Sequence, residues 1–533
     1  MIKEEALKLK ADSTVFALRK ISIHLIVVIS KRNAKIRPNI NRYLNLDLQK
    51  IKALFKFADN DSMRILRKLC FTLFFLTAFL FRVFANGPTV PIIPIDRIPD
   101  SAGLRKTLAA TWLLASPMDV LTLSPQVYTD STGKRFKVES YKLESQNIVE
   151  VKITPEDTIF TKTSNSRTPQ GIWILQRDFT TGEPVCIKIF PRETPELFIK
   201  LNPTSNIQVG TRSYADFCLF SAYVRKGVAV GISFNDLYYT TLSELKQMTK
   251  DTLPWHIFEP PVTYRAVESM SAIIRRKMQM LVRIDDGAFS AFGKPVYIET
   301  EKPQEKSAIL YAAKNQEKGQ EKEQKIKGGV NCSGFVKWIV DGIIKPIAGQ
   351  GTYITSLKRP TDIPLTNFSS PFAEQRDLFF GLDWIRNLAA ARLSLTMRRT
   401  VYPQEAGIDV KLVPFAFSLP VLGGRISEQK FGGYFKNVGY QTEYLEALLY
   451  YLAITEPGNF YLGAVNQEMG NPSLRQYYHA VAFFPYFDIL GNFHIDVYEA
   501  AEETDIRDFI LRNKKSFTAL VRIKAPDVGF FSP

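Results

Sequence analysis

Histidine and cysteine are scarce in this chain, four of each among 533 residues. No group of His, Cys and Asp has the spacing of a metal-ligand set, so neither a metal nor a cofactor is expected. Long apolar runs are scarce as well. Ile21–Ile29 is too short to span a membrane, and Leu69–Phe81 falls short of the ~20 residues a spanning helix needs. Acidic residues are outnumbered, and the formal charge is +16. Much of that excess sits at the start: residues 1–62 carry +7, and residues 63–85 hold four basic residues and no acid. That leaves +5 for residues 86–533. So mild a balance gives no argument for a nucleic-acid partner.

What is present begins with an export signal. Arg64, Arg67 and Lys68 precede the apolar run, and Val83-Phe84-Ala85 approximates a small-x-small cleavage site before Asn86. Residues 63–85 therefore read as a signal peptide, with Met63 as the functional start and residues 1–62 as a mis-assigned upstream segment or leader. The mature chain is expected to carry no transmembrane span and to reside in the periplasm or cell envelope. Three cysteines remain after cleavage, at 186, 218 and 332. In an oxidising compartment Cys186 and Cys218 could pair, or both could be buried thiols in strands.

With 45% hydrophobic and 23% charged residues the chain is globular, and long enough for two or three domains. Residues 101–260 read as a β-rich, sandwich-like domain. After a short helix capped by Ser101, β-prone runs at Arg135–Val138, Ile148–Ile153, Ile172–Leu175, Val185–Phe190, Leu197–Leu201, Phe217–Val224 and Val228–Phe234 are separated by turn residues. Helical patterns at Leu242–Met248 and Val267–Leu281 lead into a second domain, 265–533. Residues 302–328, rich in Glu, Lys, Gly and Gln, read as a solvated low-complexity loop. Farther on come helices at about Glu374–Leu395 and Thr442–Ile454, then strands at Phe460–Leu462, Tyr477–Phe484 and Asn492–Tyr498. A helix at Asp505–Asn513 and a last strand at Phe517–Ile523 complete an α+β arrangement.

The chemistry centres on Asn331-Cys332-Ser333-Gly334-Phe335-Val336-Lys337-Trp338. Asn331 is a good N-cap, apolar residues recur at helical spacing from Phe335, and Pro346 ends the pattern. A thiol in the first turn meets free N–H groups and the positive end of the helix dipole, which favour the nucleophilic thiolate. Gly334 allows another element to approach closely. Trp338 is expected to pack and Lys337 to face solvent. A thiolate also needs a base, and histidine is the usual one. His24 lies upstream of the signal and His256 in a Pro-rich connector, which leaves His479 and His494. A turn at Pro485-Tyr486-Phe487-Asp488 would put these two directly opposite on one face, so that His494 could orient His479. Asn492, Asp488 and Asp496 are rivals for that third position.

Asn-Cys-Ser-Gly-Phe-Val at a helix start resembles the Asp-Cys-Ser-Gly-Leu/Phe-Val motif of the NlpC-type cell-wall peptidases, within the papain-like cysteine peptidase superfamily. The order of elements is similar over roughly residues 285–525: Cys332, then Pro457-Gly458-Asn459, then His479, then His494. The resemblance implies a papain-like domain with Cys332 as nucleophile, His479 as base and His494 as third member. It also implies an oxyanion-supporting tyrosine, for which Tyr297 in Gly-Lys-Pro-Val-Tyr is the nearest match and Tyr311 the rival. Three departures stand out. Asn331 replaces the usual Asp, the tyrosine is not at its usual distance before the cysteine, and residues at about 345–455 form a large insertion.

By this resemblance the expected activity is a cysteine peptidase, an exported endopeptidase acting on peptidoglycan stem peptides, with the β-rich domain binding wall or partner. Two alternatives differ in kind. One is an amidase or acyltransferase on lipid or protein substrates, its insertion forming an apolar channel with Phe379-Phe380, Trp384 and Phe415–Leu422. The other is an envelope binding module without catalysis.

Overall fold

The β-prone runs between residues 126 and 229 become one antiparallel meander. A computed structural model describes residues 93–531 apart from 157–169, 205–211, 260–264, 317–325, 362–377, 416, 419–428, 431–432, 436–437, 472 and 490. Eight strands follow one another, each paired with the next: Gln126–Thr129, Arg135–Leu143, Ile148–Pro155, Ile172–Asp178, Pro184–Phe190, Leu197–Pro203, Ser213–Leu219 and Ala222–Ala229. Phe417–Ser418 and Gln429–Lys430 extend the same sheet to ten strands. This corrects the sandwich-like expectation. Strands joined in succession to their sequence neighbours build a meander, whereas a Greek-key sandwich needs a strand that returns across its neighbours.

Burial follows from the strand period. Ile148–Pro155 alternates part-exposed and buried residues, so one face turns to the core. Ile172–Asp178 is buried on nearly every residue, because Ile172, Ile174 and Phe190 form a small second cluster with Phe198 on the other face. The expected run Phe217–Val224 is two strands. Phe220 and Ser221, with φ of 43° and 64°, make the hairpin turn between them. Cys186 and Cys218 are buried free thiols, and the Leu197–Pro203 strand lies between theirs.

The second sheet has six strands in the spatial order Tyr440–Gln441, Phe517–Lys524, Asn459–Met469, Leu474–Phe487, Phe493–Glu499 and Glu502–Thr504. Its principal neighbours pair antiparallel, and the helices Cys332–Ala348 and Phe380–Met397 pack on it. The chain is thus a mixed α and β protein with antiparallel sheets. Residues 90–533 cluster as one unit, and one buried core runs through both halves. At their junction the Phe220 ring lies 5.4 Å from that of Tyr450, whose hydroxyl donates to the Ile257 carbonyl at 2.8 Å. Residues 1–62, the stretch 63–85 that reads as a signal peptide, residues 317–325 and parts of the expected insertion lie outside the described residues. Within 302–328 the expectation of a loop is corrected: Lys306–Asn315 is a helix, its Ala313 buried. Among the described residues no helix is long and apolar enough to cross a membrane.

Candidate active site

The helix that carries Cys332 starts where its cap requires. Asn331 has extended backbone, and its Oδ1 accepts the Gly334 N–H at 2.8 Å, so Cys332 is the first helical residue. The turn is held from behind by the segment after the Leu281–Arg283 strand. The Asn331 N–H donates to the Gly287 carbonyl at 3.0 Å, and Asn331 Nδ2 to that of Asp285 at 3.2 Å. Gly334 packs so closely there that a Cβ would run into the Gly287 carbonyl oxygen. On the other side the fully buried Trp384 donates its indole N–H to the Ser333 carbonyl at 2.8 Å. The helix continues past Pro346 to Ala348 and ends at Gly349 in the left-handed region.

Lys337 does not face solvent. It is fully buried and bonded to Asp341 at 2.5 Å, one turn along, while Asp341 accepts the Thr352 N–H and hydroxyl at 2.8 and 2.9 Å. An amphipathic reading places lysine outside, but this helix is enclosed on nearly all sides and a carboxylate waits at i+4.

His479 faces Cys332 from the Leu474–Phe487 strand, near enough for the two groups to shift each other's titration. Next to His479 the pairing with Asn459–Met469 shifts, with Val465 opposite His479 and Asn466 opposite Tyr477. The extra residue, Tyr478, makes a bulge, a device that re-aims neighbouring side chains. His479 Nε2 lies 2.5 Å from Glu499 Oε2. Glu499 is nine-tenths buried, and its other oxygen accepts from Arg512 Nη2 at 2.6 Å.

The electrostatics favour an ion pair. Burial alone would push the Cys332 thiol up, but the hydrogen bond and positive charge of His479, the Ala480 backbone N–H and Ser333 outweigh it and hold the thiol below its ordinary value. Burial opposes the imidazolium too, yet Cys332 and Glu499 on its two sides raise His479 to about 9. Burial works against the charge of Glu499, and the bonds from His479 and Arg512 prevail, holding it down to about 2. The three shifts favour charge on each member of the row, negative on Cys332 and Glu499 and positive on His479 between them.

His494 is not in that row. The hairpin turns at Asp488–Asn492, where the Asp488 N–H donates to the Asn492 carbonyl and Gly491 takes a φ of 79°. His494 therefore pairs with Tyr486, stacks on its ring at 5.2 Å and contacts Asp488 Oδ2 at 3.1 Å. Pro485 stays inside its strand, since the neighbouring Asn459–Met469 strand pairs only as far as Phe483. Continuing the observed register puts Glu499 opposite Val481, on the face of His479 and diagonal to it. The turn residues Gly491-Asn492 were the available sign of this register. Of the rivals, Asp496 bonds Ser271 and Arg275, and Asn492 and Asp488 bond each other.

Tyr297 is bonded within its own turn, its hydroxyl accepting the Glu305 N–H at 3.4 Å, and Tyr311 is exposed on the Lys306–Asn315 helix. Among the described residues neither is hydrogen-bonded to Cys332. Phe379 packs on Tyr477, with ring centroids 5.7 Å apart, and Trp384 is core, so these two do not line an open channel. Ala416 and residues 419–422 of the expected channel lie outside the described residues. Among the described residues no group of three or more His, Cys, Asp or Glu is placed to hold a metal.

Comparison with known families matches residues 94–257 to a family described as a domain of unknown function (DUF8515), an extent that takes in the eight-stranded meander. No match is found among curated proteins or among solved structures.

Proposed function

We propose that this protein is an exported cysteine hydrolase that cleaves amide bonds, with the peptide stems of peptidoglycan as its substrate. The observation that carries the reading is His479 held between Cys332 and Glu499. The Cys332 thiolate attacks the amide carbonyl and forms the C–S bond. As the first helical residue, Cys332 has a backbone N–H without a partner inside the helix, a donor for the oxyanion that develops. The His479 imidazolium gives its proton to the departing amine as the C–N bond breaks. His479 then takes a proton from water as the water oxygen adds to the carbonyl; the C–S bond breaks, the acyl group leaves as acid, and the thiolate and imidazolium are restored. Glu499 keeps the ring oriented and balances its charge. The segment 63–85 supports export, and the cysteine motif and order of elements support the wall substrate.

Muropeptides incubated with the protein, beside a Cys332→Ala control, are the test, read by mass spectrometry. Fragments that require Cys332 identify the bond by their masses. Identical profiles, with Cys332 still alkylated faster than a denatured control, would replace the wall substrate by another acyl substrate, lipid or protein. Identical profiles with an inert Cys332 would leave a non-catalytic binding module.

A further inference from the structure

Away from Cys332, the meander and the C-terminal half enclose a cavity of about 450 Å³, the size of a small-ligand site. Arg192 lines it, just past the end of the Pro184–Phe190 strand, with only 8% of its surface exposed. Its Nε donates to the Phe258 carbonyl and Nη1 to that of Ile93 at 3.4 Å, so two backbone groups fix the guanidinium. Its Nη2 is buried and has no hydrogen-bond partner among the described residues. Glu259 and Glu193, the latter also on the cavity wall, offset only part of the cost of burying this cation, since burial still holds the guanidinium below its ordinary value, and a planar anion is the partner that suits the open Nη2.

Elsewhere on the same wall the imbalance is reversed. Glu446 and Glu196 line the cavity with Arg507, whose contacts to them are long, 3.9 and 3.6 Å, and largely exposed. Burial first, then Glu196 and Asp505, raise Glu446 to about 7 against the pull of Arg507, so the three carboxylates at this end outnumber its one, largely exposed cation. We propose that the cavity is a second binding site for a small zwitterion of the amino-acid or short-peptide class, its carboxylate on Arg192 and its ammonium group between Glu446 and Glu196. The cavity volume admits a ligand of that size, and the two unbalanced ends call for opposite charges on one molecule. His494, which is absent from the catalytic row, lines this cavity.

The test uses the full chain with Cys332→Ala, so that no probe is turned over, and calorimetric titration with dialanine, dialanine amide and N-acetyl-dialanine. Dialanine is expected to bind saturably, and each capped form about tenfold more weakly or worse, since each leaves one buried charge unmatched. Arg192→Gln should abolish dialanine binding. Because Arg192 also ties two backbone carbonyls, Glu446→Gln serves as the gentler variant. It should weaken dialanine about tenfold while leaving N-acetyl-dialanine unchanged. Equal affinity for the three forms, no binding at about 10 mM, or dialanine binding untouched by both variants would overturn the proposal. So would inorganic phosphate binding as tightly as dialanine and depending on Arg192, which would make this a plain anion site.

Discussion

Glu499 Oε2 lies 2.5 Å from His479 Nε2, and Glu499 Oε1 lies 2.6 Å from Arg512, so one buried carboxylate joins the histidine to the Ile506–Arg512 helix. Glu499→Gln should keep the fold and lower Cys332-dependent turnover by about 10²-fold or more, as loss of a triad's third member does. His494→Ala, which removes a part-exposed contact with Asp488 and the stacking on Tyr486, both outside the Cys332–His479–Glu499 row, should leave turnover within about twofold. Initial rates on a muropeptide that the intact protein cleaves compare the two. Equal losses would return His494 to the catalytic row.

The thiol's pH response follows from its two neighbours. Cys332 is held below its ordinary value of 9.0, so its thiolate persists below pH 9 and is lost as the pH falls through the lowered value. Iodoacetamide alkylation should therefore reach half its maximal rate below pH 9. Removing the imidazolium with His479→Ala should move that midpoint upward. Stopped-flow alkylation from pH 4 to pH 10 measures both. An unmoved midpoint would show that His479 does not stabilise the thiolate.

The cap of the nucleophile's helix was legible in the sequence, and so was the space behind it. Asn331, Gly334 and the strands that follow Pro457 use local rules, namely a side-chain cap, a missing Cβ and alternation bounded by turns. Glu499 was not legible. Its role depends on where a hairpin turns, and a Pro485 turn chosen in place of Asp488–Asn492 shifts the register and hands the third place to His494. The turn at Phe220-Ser221 was equally hidden, since neither residue is one that favours positive φ.

Gly334→Ala tests the close approach itself. A methyl group there meets backbone, which cannot rotate away, so the cap and the Gly287 segment must separate. A loss of about 1–3 kcal/mol of stability is expected by urea denaturation, with slower alkylation of Cys332 in the variant that remains folded. An unchanged denaturation midpoint would mean that the two segments separate freely.

Lys337 and Asp341 give an asymmetric prediction. Asp341→Ala strands a fully buried ammonium group and should cost about 3–5 kcal/mol. Lys337→Met leaves Asp341 its two bonds from Thr352 and should cost less. Denaturation midpoints of the two variants give the order, and a larger loss for Lys337→Met would reverse the argument.

The indole N–H of Trp384 donates to the carbonyl of Ser333, the residue after Cys332, and Trp384 belongs to the stretch, about 345–455, that the sequence resemblance reads as an insertion. That added length is therefore part of the floor on which the thiol stands. A shortened protein, trimmed between about 345 and 455 to resemble its smaller counterparts, would leave the Ser333 carbonyl without its donor and open one side of the cysteine's helix to water. Any minimal version must keep the Phe380–Met397 helix or supply another donor at that spot.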